Sequence, residues 1–179
     1  ENTYFYNLDN KNNESGVFNL FNEFTIIKNE NDQFKIYHDK EILKQFLNLF
    51  FNNISKYTSH TSTLLIGVTF NSDDISSNGI KELQQYGLYL EKIEESTLIL
   101  KDIPEILISL PTKIIKEIIL LIPEKKFINK ESINGIADNY LKFITSSTIV
   151  QLESSLKDPS LSLDLTKDIL STFFQSDQI

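Results

Sequence analysis

His38, Asp39 and Glu41 are the residues of this chain whose types and spacing come nearest to chemistry. An imidazole and two carboxylates clustered within a helical turn can hold a divalent metal next to a phosphate group. Lys40 sits inside the run, and no cysteine exists anywhere in the chain to complete a site. The competing reading is structural. Asp39 is placed to cap a helix that starts there, and its neighbours are solvated charges in a first turn that favours acidic side chains. We prefer the structural reading and expect no tight metal site.

Composition removes much of the remaining chemistry. Without cysteine there are no disulfides, zinc thiolate sites or thiol nucleophiles. No nucleophile elbow, phosphate loop or dinucleotide fingerprint occurs. His60 lies in a Ser/Thr-rich connector and reads as a loop residue. The net charge is −8 and arginine is absent, which argues against strong autonomous binding to nucleic acid. Lys113, Lys116, Lys125 and Lys126 gather around one helix and read as its solvated face. No apolar run reaches membrane-spanning length, so no membrane partner is expected. A chain of 179 residues that lacks an initial methionine reads as a fragment or a processed chain.

The elements that would position these residues follow from periodicity. Residues 1–15 are polar and Asn-rich and read as a linker or tail. Val17 to Lys28 has strand composition, Asn29 to Asp32 reads as a turn, and Phe34 to Tyr37 alternates again. Ile42, Leu43, Phe46, Leu47 and Phe50 then form a stripe at helical spacing. The opening therefore reads β-β-α. Asn52 to Thr63 is a polar connector and Leu64 to Phe70 a buried-type strand. Asp73-Asp74 resembles the acidic start of a helix. Ile80, Leu83 and Tyr86 share a helical face that Gly87 ends. Two alternating runs follow, around Leu88 and Leu90 and around Leu98 and Leu100, with Glu94-Glu95-Ser96 as their turn. Ile103-Pro104 closes the second strand, and helical spacing resumes at Lys113. Another amphipathic helix covers Glu131 to Ile144, before Ile149 to Leu156. The tail alternates at Leu161, Leu163 and Leu165. Ile169, Leu170, Phe173 and Phe174 then return to helical spacing.

The order helix, tight glycine, strand, polar turn, strand, Ile-Pro, helix over Asn78 to Pro123 resembles the middle of the C-terminal domains of the MutL family. These are the dimeric matchmakers of DNA mismatch repair. The β-β-α opening from Gly16 to Asn53 is similar to the start of the same domains. The resemblance implies an α+β fold of antiparallel sheets and packed helices in two subdomains, the second inserted into the first. Residues 16–55 and 146–179 would form the dimerising part, with 56–145 as the inserted outer part. Phe18, Leu20, Ile169, Leu170, Phe173 and Phe174 are the candidate dimer contacts.

Many MutL proteins nick DNA through a metal site that begins with Asp-Gln-His at the end of a strand, with a Glu one helical turn on. Here the leading Asp is replaced by Tyr37, and the family's Cys- and Arg-containing motifs cannot exist. The chain is thus similar to the non-nicking bacterial type, which places it in a bacterial cytosol. No cofactor is expected in this domain, since the family's ATPase would lie in an N-terminal domain outside this chain. The family's sliding-clamp motif, a Gln, an apolar run and a Pro, matches Ser62, Leu64, Leu65 and Ile66 only in its apolar centre. Ser62 stands for the Gln and Gly67 for the Pro, and we read the segment as the start of a buried strand. The implied partners are a second copy of the chain, a sliding clamp, other mismatch-repair proteins and, weakly, DNA. The alternatives are an unrelated protein-interaction module and a residual metal-dependent endonuclease built on His38, Asp39 and Glu41.

Overall fold

The structure, a computed structural model, describes residues 16–20, 23–28, 33–125, 128–157 and 162–165. The elements in chain order are β1 (Val17–Leu20), β2 (Phe24–Lys28), β3 (Phe34–His38), α1 (Asp39–Asn52), α2 (Ile54–Tyr57), β4 (Thr61–Asn71), α3 (Ser77–Gln85), β5 (Tyr89–Glu94), β6 (Thr97–Pro104), α4 (Thr112–Glu124), α5 (Lys130–Tyr140), α6 (Ser146–Leu156) and β7 (Ser162–Leu165). They form an α+β fold with two antiparallel sheets.

The first sheet has the order β1-β2-β3-β7, so the chain's two ends meet in it. Phe34 to Tyr37 of β3 pairs with Leu165 back to Ser162 of β7. The opening differs from the β-β-α expectation. The run from Val17 to Lys28 is two strands, because the chain turns at Glu23 and folds back as a β1–β2 pair. The Glu23 carbonyl then accepts the Asp39 amide at 2.9 Å, which locks this turn to the first residue of α1.

The second sheet, β4-β6-β5, comes from the middle of the chain. Leu98, Leu100 and Ile103 of β6 turn inward with Val68 and Phe70 of β4. The helix before β5 ends where Gly87 takes φ +74, a left-handed conformation that side chains resist. A Cβ there would also stand 3.1 Å from Pro104 Cγ. α3 starts at Ser76, whose hydroxyl accepts the Gly79 amide at 3.1 Å. Asp73 and Asp74 therefore belong to a short 3-10 turn before it, not to its first turn.

One apolar core joins the parts. The stripe Ile42, Leu43, Phe46, Leu47 and Phe50 of α1 is fully buried. α1 packs against both α5 and α6, and α4 packs against α3 and α5. The stretch from Glu131 to Ile144 is not one helix. α5 ends at Tyr140, residues Leu141–Phe143 make a 3-10 turn, and Thr145 caps α6 through its hydroxyl. A four-residue helix, α2, also interrupts the expected connector. Among the described residues, no helix is long and apolar enough to cross a membrane.

Two glycines test this frame in opposite directions. Gly87→Ala should cost about 1–2 kcal/mol, because its φ is positive. Gly135→Ala, inside α5 with open space around it, should stabilise by about 0.5–1 kcal/mol. Urea unfolding of both variants should give shifts of opposite sign.

Candidate interaction surfaces

The residues nearest to chemistry do not converge. His38 caps α1, and its Nδ1 accepts the Glu41 amide at 3.3 Å. The Glu41 carboxylate instead accepts from Gln45 Nε2 at 2.8 Å, one turn along the helix. Asp39 turns the other way, beneath the first sheet, where only 4% of it is exposed. Asp39 is therefore not the cap but a buried first-turn residue, which corrects its expected place, and His38 is the cap instead. Among the described residues, no three His, Cys, Asp or Glu side chains are arranged to hold a metal ion.

Asp39 is instead a poorly satisfied buried carboxyl. Its Oδ2 accepts from Asn19 Nδ2 at 3.4 Å, a long bond. Its Oδ1 and the Oγ1 of Thr25 are both buried without a hydrogen-bond partner. Burial pushes its pKa up from the ordinary value of 3.8, and the nearby Thr25, His38 and Asn19 only partly oppose this. The ionised form therefore costs stability.

The strands beside it carry a more consequential feature. Thr25 pairs with Tyr37 and Ile27 with Lys35, and this face meets the core through Tyr37 and Ile27. The alternate residues point the other way. They are Phe24, Ile26, Phe34 and Ile36, with His38 at one end and Lys28 at the other. All four apolar residues are half-buried, and none belongs to the core cluster formed among the described residues. By register, Phe18 lies opposite Ile26, Leu20 opposite Phe24, Leu163 opposite Ile36 and Leu165 opposite Phe34. Of the sequence candidates for a dimer contact, Phe18 and Leu20 pair by backbone register with Ile26 and Phe24. Ile169, Leu170, Phe173 and Phe174 lie outside the described residues. Phe24, Ile26, Phe34 and Ile36 were missed, because alternation alone does not tell which face of a strand the helices cover.

A second apolar surface lies on β4. The expectation of a buried strand from Leu64 to Phe70 fails at its centre. Leu65 is 104% exposed and Ile66 87%. The cause is a wide bulge on this edge strand. Thr63 pairs with Asp102 and Val68 with Leu100, so Leu64, Leu65, Ile66 and Gly67 lie opposite Lys101 alone. Leu64 still packs on the core, while the next two side chains project. Gly67 closes the bulge, because a Cβ there would stand 2.2 Å from Ile99 Cδ1. Ser62 Oγ donates to Glu105 Oε1 at 3.1 Å and pins the strand just before the bulge. Glycine at position 67 after an apolar run was the signal available in the sequence.

The lysines near α4 do not form one site. Lys113 Nζ sits 3.9 Å above the Phe143 ring and Lys116 Nζ 5.6 Å from the Phe70 ring. Lys125 follows the end of α4, and Lys126 lies outside the described residues. His60 is exposed, beside the Ser59 hydroxyl at 2.9 Å. The chain matches no protein-family model and no curated protein sequence.

Two predictions separate these surfaces from the core. A carboxyl with a raised folded pKa destabilises above that value, and the cost fades as pH falls through it toward the unfolded value of 3.8. Asp39→Asn should therefore raise the calorimetric midpoint at neutral pH, with a gain that shrinks on acidification. A lower midpoint at neutral pH would contradict the assignment. Replacing Leu65 and Ile66 together by Ser should change stability by no more than about 0.5 kcal/mol. Leu100→Ala, in the core, should cost about 2–5 kcal/mol by the same denaturant assay.

Proposed function

We propose that this chain is a homodimerisation domain of the MutL type, and that two copies meet through the outer face of the first sheet. The apolar row of Phe24, Ile26, Phe34 and Ile36 carries the reading. An apolar row that stays only half-buried within one chain gains from further cover, and obligate interfaces supply such cover. The sheet draws strands from both ends of the chain, as a dimerising part made of both ends would require. Its function is mechanical. A constitutive dimer holds two N-terminal ATPase domains at high effective concentration, so that ATP can close them around DNA. The domain itself binds no nucleotide and does no nuclease chemistry in this reading. The divergence of His38, Asp39 and Glu41 supports the latter.

The projecting Leu65-Ile66 pair supports a second, transient contact with a clamp-type partner. Two apolar side chains on a pinned bulge can enter a pocket without disturbing the core. Ser62 and Gly67, in place of the family's Gln and Pro, would weaken that contact without removing its apolar centre. This surface and the dimer face belong to different sheets.

The dimer reading predicts a concentration-independent dimer at micromolar levels in sedimentation equilibrium. Ile36→Asp should give a folded monomer by circular dichroism, or a dimer weakened at least a hundredfold, since a charge would be buried in an apolar contact (about 3 kcal/mol or more). Leu65→Ser with Ile66→Ser should leave the dimer intact. A wild-type monomer at tens of micromolar would refute the reading.

A further inference from the structure

We propose that Asn78 is a site of spontaneous backbone modification, gated by the Ser76 cap, and that its conversion to isoaspartate releases α3 from α4. The chain holds two Asn-Gly pairs, Asn78-Gly79 and Asn134-Gly135. In each, the glycine nitrogen can attack the asparagine side-chain carbonyl carbon, since glycine has no side chain to hinder it. A new N–C bond closes a succinimide ring, the C–NH2 bond breaks, and the glycine amide proton leaves with the amine as ammonia. Water then opens the ring at either carbonyl and leaves aspartate or isoaspartate. No other reactant is needed.

The fold treats the two pairs differently. Asn134 and Gly135 lie inside α5, where the Gly135 amide donates to the carbonyl four residues back. Attack there needs the middle of the helix to open. Asn78 and Gly79 lie in the first turn of α3, whose amides have no helical carbonyl to bond. Asn78 is exposed, and the Gly79 amide is held by the Ser76 hydroxyl at 3.1 Å. Loss of that bond frees the attacking nitrogen, and helix ends open far more readily than interiors. Glycine is hard to replace at this place, because a Cβ on residue 79 would stand 2.9 Å from Pro123 Cβ of α4. The close packing of α3 on α4 thus keeps a reactive pair at an exposed helix start. It also sets the consequence. Isoaspartate adds a carbon to the main chain, which displaces Gly79 from both Ser76 and Pro123.

The test is incubation of the whole chain in mildly alkaline buffer, followed by peptide mapping with mass spectrometry that separates asparagine, aspartate and isoaspartate at each pair. Native Asn78 should convert at least about tenfold faster than native Asn134, and in concentrated urea the two rates should converge. Ser76→Ala should speed conversion of Asn78 about fivefold, the rise in open population released by loss of a cap of about 1 kcal/mol, and leave Asn134 unchanged. Ser76→Asp, which restores an acceptor, should return Asn78 to within about twofold of wild type. In the isoaspartate form, amide hydrogen exchange should quicken across α3 and not in α1. Equal native rates at the two pairs, a faster Asn134, or a chain in which neither converts overturns the proposal. So does a Ser76→Ala rate equal to that of wild type, or α3 exchange that the modification leaves unchanged.

Discussion

The structure depends on one asymmetry: the first sheet has two apolar faces, and among the described residues α1 and its neighbours cover one. On the covered side, Tyr37 and Ile27 join the stripe from Ile42 to Phe50 in a dry core. Each such side chain contributes about 1.5–3 kcal/mol when fully buried. On the other side, Phe24, Ile26, Phe34 and Ile36 gain only part of that, because they are half-buried. The remainder is available to whatever covers the face. A second copy of the same face is a self-complementary cover, which is what a two-fold interface needs. The row's polar ends, His38 and Lys28, mark its limits along the strands.

The junction between β3 and α1 concentrates the polar strain of the molecule. There the chain turns from strand to helix between two polar residues of different fate. His38 remains outside and serves the helix as an acceptor. Asp39 goes inside, where Thr25 and Asn19 satisfy it poorly. A buried carboxyl with an unpaired oxygen is a cost the core must outweigh. The residues that first suggested a metal thus share a segment but not a centre. The second sheet solves a different problem. Its edge strand β4 would offer a flat row of unpaired backbone groups, and the bulge at Leu65-Ile66 breaks that row.

Much of the fold was legible in periodicity. The helix-glycine-strand-turn-strand unit from Asn78 to Pro104 was readable because each boundary has its own local chemistry. Ser76 caps α3, Gly87 takes a positive φ, and Pro104 ends β6. The misses have local causes too. The polar turn at Glu23 is too short to break a composition-based strand, so β1 and β2 merged. Asp39 was read as a cap because acids favour that position, whereas the register of β3 put His38 there instead. Leu65 and Ile66 look buried in sequence because the apolar run outweighs Gly67, the one local mark of a bulge. The outer face was invisible for a related reason. Alternation predicts two faces, but only the packing of α1 tells which one this helix covers.

The most direct test of the account is isotope-filtered NMR on a mixture of labelled and unlabelled chains. If two copies meet through the first sheet, intermolecular NOEs should link the Ile26 and Ile36 methyls to the Phe24 and Phe34 rings of the other copy. A dimer whose intermolecular NOEs arise elsewhere, or a sample with none, would contradict it.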